Sequence, residues 1–303
     1  MTRSLRGITL AAAFLLSSTS LSAQLIAHGS DGTTVSQMVS RLRNHREQQR
    51  AAAVNRIKPA VVSVDWTLEA FIIPAAGSVA GSNGTFFKSD VSIANRRSVS
   101  QVIEVGFLSR GVNNGSKPTK KFTIPANTTT IDNDFIGLVL GESGLGTLLV
   151  VAVTGLQAGA PIDDNAEIDG FSRIWTPQPI QPGATTSIGT VSQAFESIDI
   201  EDNLATSYGY GLKQDANFRT NVGLVNLNST PNTFTVNVVG TSGNTQLTQT
   251  VQPFSMEQPS LPGGTWGDLY LRISSAPSNF NWWSAYGTTV DNRTGDGWVS
   301  HVH

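Results

Sequence analysis

Two hydrophobic periods divide the chain. Apolar residues at i, i+3, i+4 and i+7 occur at Val35, Met38, Val39 and Leu42, the spacing that places four side chains on one helical face. Thr34 and Gln37 stand in capping-box register at its start, where each side chain can serve the other's free backbone N–H. The pattern turns polar from Arg43 to Arg50 and has to stop before Pro59, because a proline ring cannot continue a helix. One short helix is predicted, with a narrow apolar stripe and a basic remainder. A basic helix could touch an anionic surface, but a stripe of two turns is short for that. Folding back onto the next domain is the simpler expectation.

From Val61 the period becomes two. Strands are predicted over 61–66, 87–94, 101–108, 121–124, 147–153, 221–225, 233–239, 245–251, 269–273 and 283–290, separated by Gly, Pro, Asn and Ser. No helical pattern lies between them, so antiparallel sandwiches are expected rather than a parallel α/β sheet.

The chain also repeats itself. Phe87-Lys-Ser-Asp-Val-Ser-Ile-Ala-Asn95 aligns without gaps on Phe218-Arg-Thr-Asn-Val-Gly-Leu-Val-Asn226, an offset of 131 residues. The register runs on through Ile103, Val105 and Phe107 against Phe234, Val236 and Val238. Ile124-Pro125 then falls beside Gln252-Pro253, and the stretch from Gly146 beside that from Gly267, so loops of the second copy are shorter. Alternation puts Phe87, Val91 and Ile93 on one face and Lys88, Asp90 and Ser92 on the other, as a sheet with one buried face requires.

These segments, with Val290-Asp-Asn-Arg-Thr-Gly-Asp296, resemble a group of exported bacterial proteins. That group carries tandem immunoglobulin-like β-sandwich repeats marked by Phe-Arg-Thr-Asn and Val-Asp-Asn-x-Thr-x-Asp. The likeness spans roughly 78–296 and departs in the first copy, where Lys88, Ser89 and Asp90 replace Arg, Thr and Asn. It implies a fold and export; the group has no established activity to carry over. The expected fold class is all-β: two tandem immunoglobulin-like antiparallel β-sandwiches, 61–180 and 181–303, behind a helical segment at 24–60.

The N-terminus adds a destination. Arg3 and Arg6 precede an apolar run at 8–16, and Leu21-Ser22-Ala23 supplies small residues for cleavage after Ala23, the pattern of an export signal over 1–23. The run is too short to span a bilayer, Gln24 rather than an acylatable Cys follows, and no later segment is long and apolar enough to span. A secreted, periplasmic or cell-surface protein is expected, without a membrane span.

Composition narrows the chemistry. The chain has no cysteine, which excludes disulfides, thiol catalysis, thiolate metal sites and iron–sulfur clusters. Net charge is +4 over 24–60 and −8 over 61–303, and an acidic body argues against nucleic acid as a partner. Its four histidines stand at 28, 45, 301 and 303, so a triad or a histidine-held metal would have to be built from the ends. There is no nucleophile elbow, phosphate loop or dinucleotide fingerprint.

Oxygen chemistry is left. Asp163, Asn165, Glu167 and Asp169 place oxygen ligands at alternate positions, a calcium-site candidate that lacks the glycine and twelfth-position acid of an EF-hand. Asp163, Asp164, Glu167 and Asp169, with Glu196, Asp199, Glu201 and Asp202, are the carboxylates from which a glycosidase pair could be drawn. Six tryptophans (66, 175, 266, 282, 283 and 298) belong mostly to cores. Trp283, Tyr286 and Trp298 are the candidates for an exposed platform. Asp291–Asp296, Asn95 and Asn226 read as turn chemistry. The expected function is a non-enzymatic interaction or structural module for an extracellular protein or glycan. A carbohydrate-binding module is the alternative, and a divergent glycosidase the third reading.

Overall fold

The computed structural model describes residues 23–54, 69–81, 84–178, 189–200, 206–275 and 282–302. Residues 1–22 of the expected export signal, the strand expected at 61–66 with Trp66, and Glu201, Asp202 and His303 lie outside them.

Helix α1 (Val35–Val54) opens with the expected capping box. The Thr34 amide donates to Gln37 Oε1 at 2.9 Å and the Gln37 amide to Thr34 Oγ1 at 3.4 Å. Val35, Met38, Val39 and Leu42 are all buried, so the helix is part of the first core rather than a linker. A short strand β1 (Ile26–Gly29) precedes it.

Among the described residues, eighteen strands including β1 follow one antiparallel plan. The first unit contains β2 (Ala70–Ala80), β3 (Phe86–Asn95), β4 (Gln101–Ser109), β5 (Lys120–Ile124), β6 (Thr128–Asp132), β7 (Gly144–Val153), β8 (Ile168–Pro177), β9 (Thr190–Glu196) and β10 (Ile198–Asp199), with a π-helical turn at Phe135–Val139. The second contains β11 (Thr206–Gln214), β12 (Phe218–Asn226), β13 (Asn232–Gly240), β14 (Gly243–Val251), β15 (Ser255–Glu257), β16 (Gly267–Ser275), β17 (Trp283–Asp291) and β18 (Gly297–His301).

The repeat is visible in the pairing. The second unit is a sandwich of sheets β11-β16-β13-β14 and β15-β12-β17-β18. The first has the same neighbours in β2-β7-β4-β5 and β6-β3-β8-β9, with β1 added beyond β5. Its two layers join because β2, bulged around Pro74, pairs with β7 and then, through Ser78–Ala80, with β3. Against the immunoglobulin strand order, β16, β13 and β14 stand as F, C and C′, and β12 and β15 as B and E. The first strand of each unit takes the place of G, and the strand after F takes that of A.

Two alignments made from sequence shift. Asn95 donates through Nδ2 to the carbonyls of Val99, Ile124 and Pro125, and Asn226 to those of Thr230, Val251 and Gln252. Ile124 therefore answers Val251, one residue before the Gln252 that alignment suggested. Gly146 faces Ser109 and Leu269 faces Gly240, so Gly146 answers Leu269. That slip of two preserves sidedness, which is why the apolar pattern could not reveal it. The division expected at 180/181 also moves. Strands β9 and β10 still hydrogen-bond β8 and β2, and the second sandwich starts with β11.

The asparagines lock the same corner twice. Both are buried, and each Oδ1 accepts a backbone N–H two residues on, from Arg97 and from Asn228. Removing such a side chain strands several buried carbonyls, each costly to leave unpaired. Asn226→Ala is expected to lower stability by about 2–3 kcal/mol in chemical denaturation, with Asn226→Asp, which loses the donor, equally damaging. A loss under about 0.5 kcal/mol would show that the corner is not a lock.

The units share a core. Val225, Leu227, Phe254, Met256, Trp282 and Tyr286 of the second belong to the buried cluster of the first. Polar ties reinforce it: the Asn114 side chain donates to Phe254 O at 2.8 Å, Ser255 Oγ to Ser109 O at 2.9 Å, and Arg110 pairs with Glu257 at 2.9 Å. The outward face of β12 and β17 is thus an internal interface, with consequences for the predicted site.

Candidate functional site: an exposed tyrosine row

Trp283 and Tyr286 are not a surface platform. Trp283 points into the second sandwich and stands edge-on to Phe234 at 5.4 Å. Tyr286 points the other way, as alternation requires, but that face is covered by the first unit, where Phe195 meets its ring at 5.3 Å. Its hydroxyl is pushed above the ordinary tyrosine range by burial, partly countered by Arg110, so it stays neutral. Trp282 is also buried, beneath the guanidinium of Arg43 at 5.1 Å and near that of Arg46 at 6.0 Å. Of the three candidates, Trp298 alone is exposed, at 40 %.

A different aromatic group surrounds it. On the outer face of β11 and β16 stand Tyr208, Tyr210 and Tyr270, the second and third exposed by 58 % and 37 %. Tyr208 and Tyr210 are two residues apart and stack 6.2 Å from one another with rings 10° from parallel. Tyr270 lies 6.0 Å from Tyr210. A bulge builds this arrangement. Between the pairs Gly209–Leu271 and Leu212–Leu269, Tyr210 and Gly211 together oppose Tyr270. Gly211 holds φ at 71°, where a side chain is disfavoured. Alternation already puts Tyr210 on the outer face with Tyr208, and the extra residue returns Leu212 to the core. Trp298 Nε1 donates to Gly211 O at 2.7 Å, which fixes the indole over the bulge.

Tyr210, Tyr270 and Trp298 border an open groove of about 540 Å³ whose walls also include Lys213, Asp268 and Val239. Polar groups continue from them in register. Tyr208 faces Arg272, Arg272 faces Asn237, and Asn237 faces Gln246 across the sheet. Flat aromatic faces beside amide and guanidinium groups can stack on an apolar ring face while hydrogen-bonding its hydroxyls. Sequence reasoning passed over this strand because Tyr-Gly-Tyr-Gly reads as broken punctuation. The Tyr208–Tyr210 spacing was the available signal.

The acidic candidates are engaged elsewhere. Asp163 pairs with Arg97 at 2.8 Å while its other oxygen caps the Asn165 amide. Asp169, on β8 rather than in a loop, pairs with Arg96 at 2.6 Å and accepts from Ser197. At Glu167 it is the backbone that is engaged, its main-chain carbonyl accepting from the Arg96 amide. Among the described residues no three acidic or histidine side chains converge to hold an ion, so the proposed calcium set of Asp163, Asn165, Glu167 and Asp169 is not brought together. Asp199 pairs with Arg46 at 2.9 Å, and Asp164 accepts from Gln49.

The Asp291–Asp296 segment is a turn, with Asp291 Oδ1 accepting from the Arg293 and Thr294 amides and holding that exposed carboxylate below its usual range. No described helix is long and apolar enough to cross a membrane. No protein-family model matches this chain, and no curated protein matches it in sequence.

Proposed function

We propose that this chain is an exported, non-enzymatic binding module of the immunoglobulin-like repeat type, and that its second sandwich holds an extended glycan along the Tyr208–Tyr210–Tyr270 row. The observation that carries this reading is the row itself: the near-parallel rings of half-buried Tyr208 and exposed Tyr210 on one strand, exposed Tyr270 across the bulge, and Trp298 closing one end. An exposed aromatic cluster on a sheet face is costly to leave in water without a use. The neighbouring Arg272, Asn237 and Gln246 suit hydroxyl-rich ligands better than an apolar partner. The basic first segment, apolar run and small-residue site over 1–23 support export, where glycans are the abundant polymers.

Co-sedimentation with insoluble polysaccharides tests it. Retention on at least one polysaccharide is expected, and Tyr210→Ala or Tyr270→Ala should each weaken it about 10-fold, the effect of a contact worth about 1.4 kcal/mol. Circular dichroism should show both variants folded, since the rings lie outside the core. Full retention by a Tyr210→Ala/Tyr270→Ala double variant would remove the row from the function. No retention on any polysaccharide tried would leave a protein partner as the reading to pursue.

A further inference from the structure

A second cavity lies where the two units meet. Ala75, Val79, Phe87, Leu145, Ile174, Val191 and Phe195 line it from the first unit, and Arg219, Asn221 and Val290 from the second, around about 270 Å³. The lining follows from the topology. Ile174 and Gln193 are paired across β8 and β9 on the inner side of the first sandwich, as are Trp175 and Ser192 on the other. That sandwich is open at this end, and β12 and β17 of the second close it. Neither sandwich could form this pocket alone.

Its chemistry is mixed. The walls are mostly aliphatic, and Arg219, Asn221, Ser192, Gln193 and Gln258 add polar groups to them. Arg219 uses one Nη to donate to Asn292 Oδ1 at 2.8 Å, which holds the guanidinium beside the turn that carries Gly295, another lining residue. A guanidinium has five donors in a fork suited to a carboxylate, so others are free to reach a ligand. The amide nitrogen of Gln193 is buried and donates to no protein group, a cost that an acceptor in the pocket would relieve. At roughly 30 Å³ per water-sized group, the space suits about nine or ten heavy atoms.

We infer that this interface pocket binds a medium-chain carboxylate, the chain among the aliphatic walls and the carboxylate on Arg219 and Gln193. Such a ligand contacts both units at once and so stabilises their docking. This site is separate from the tyrosine row, and its test does not depend on glycan binding.

Calorimetric titration and thermal melting of the purified protein with octanoate, octan-1-ol and octylammonium provide that test. Octanoate is expected to bind with Kd on the order of 0.1 mM, as befits ten heavy atoms, and to raise Tm. Octanol should bind about 10-fold more weakly and octylammonium not at all. Arg219→Gln should cost octanoate about 10-fold and leave octanol unchanged. Val79→Trp and, as a second blocking variant on the edge strand β9, Val191→Phe should abolish binding while each keeps the native circular dichroism spectrum. The inference is overturned if octanoate fails to bind at 5 mM (about fifty times that Kd), if octylammonium binds as well, or if a folded blocking variant binds like the parent.

Discussion

Asp31→Asn is expected to destabilise the protein by about 3–5 kcal/mol, the range for leaving a buried charge without its partner. The charge left behind is Lys121. Its side chain is 2 % exposed on β5, and its ammonium meets Asp31 at 2.7 Å and the carbonyls of Leu156 and Gln157. Opposite Lys121 on β4 lies Glu104, also buried, which pairs with Arg41 of α1 at 2.5 Å and accepts from Thr119 at 2.7 Å. Two ion pairs thus fasten the N-terminal segment to β4 and β5, beside the bonds from Val35 N to Lys117 O and Thr119 N to Thr33 O. A protein of this size has about 5–15 kcal/mol in all, so the loss should be obvious in urea or thermal melts. Replacing both partners with apolar residues, as in Asp31→Val/Lys121→Met, should recover much of it. If the double variant were no better than Asp31→Asn alone, the pair would not be the cause.

The same pair sets an acid limit. Burial tends to raise the Asp31 carboxyl, but hydrogen bonds from Lys121 and Thr33 outweigh it and hold it at about 2 against an ordinary 3.8. A carboxylate with a depressed folded pKa contributes stability above its unfolded value and loses it as pH falls to the folded one. The loss therefore occupies pH 4 to 2. Parent Tm should fall across that window more steeply than that of Asp31→Asn, which has no carboxyl to titrate there.

What could be read from sequence follows a physical line. The helix was legible because its stripe and capping box are local, and strands β3, β13, β14 and β16 were legible because inward and outward positions alternate and the period shows. Strand β2 was not. Ala70–Ala80 is apolar almost throughout and contains Pro74, so neither period stands out in a segment buried on both sides. The basic face of α1 looked free for an external surface, yet Arg41, Arg46 and Arg43 meet Glu104, Glu69 with Asp199, and Trp282, partners 23 to 239 residues away along the chain. Distance of that kind leaves no local trace. The predicted platform failed for a related reason. Trp283 and Tyr286, three residues apart on β17, point to opposite faces and so could not share one platform, and nothing local says that the outer face docks on another unit. Export and the immunoglobulin-like kinship rest on the sequence still, whereas the tyrosine row, signalled only by the Tyr208–Tyr210 spacing, needed the strand pairing that sets Tyr270 and Trp298 beside it.

Gly223→Ala is the second substitution with a large expected effect, about 3 kcal/mol or more. Gly223 stands directly opposite Tyr286 on the paired strands β12 and β17, and the tyrosine ring lies across it. A Cβ at position 223 would come within 2.0 Å of two ring carbons, far inside contact distance. A glycine in a strand interior costs about 0.5–1 kcal/mol relative to alanine, so its presence is explained by this close approach. The ring cannot simply tilt away, because its far side meets Phe195 of the first unit and it is fully buried. Overpacking there strains the second sandwich and pushes at the joint between units. Tyr286→Ala alone should also cost about 3–5 kcal/mol by leaving a cavity, but the two losses should not add. With the ring gone the new methyl has room, so Gly223→Ala/Tyr286→Ala should be about as stable as Tyr286→Ala alone, a coupling of several kcal/mol in a double-mutant cycle. Additive losses would mean that Gly223 is needed for its backbone and not for the ring it accommodates.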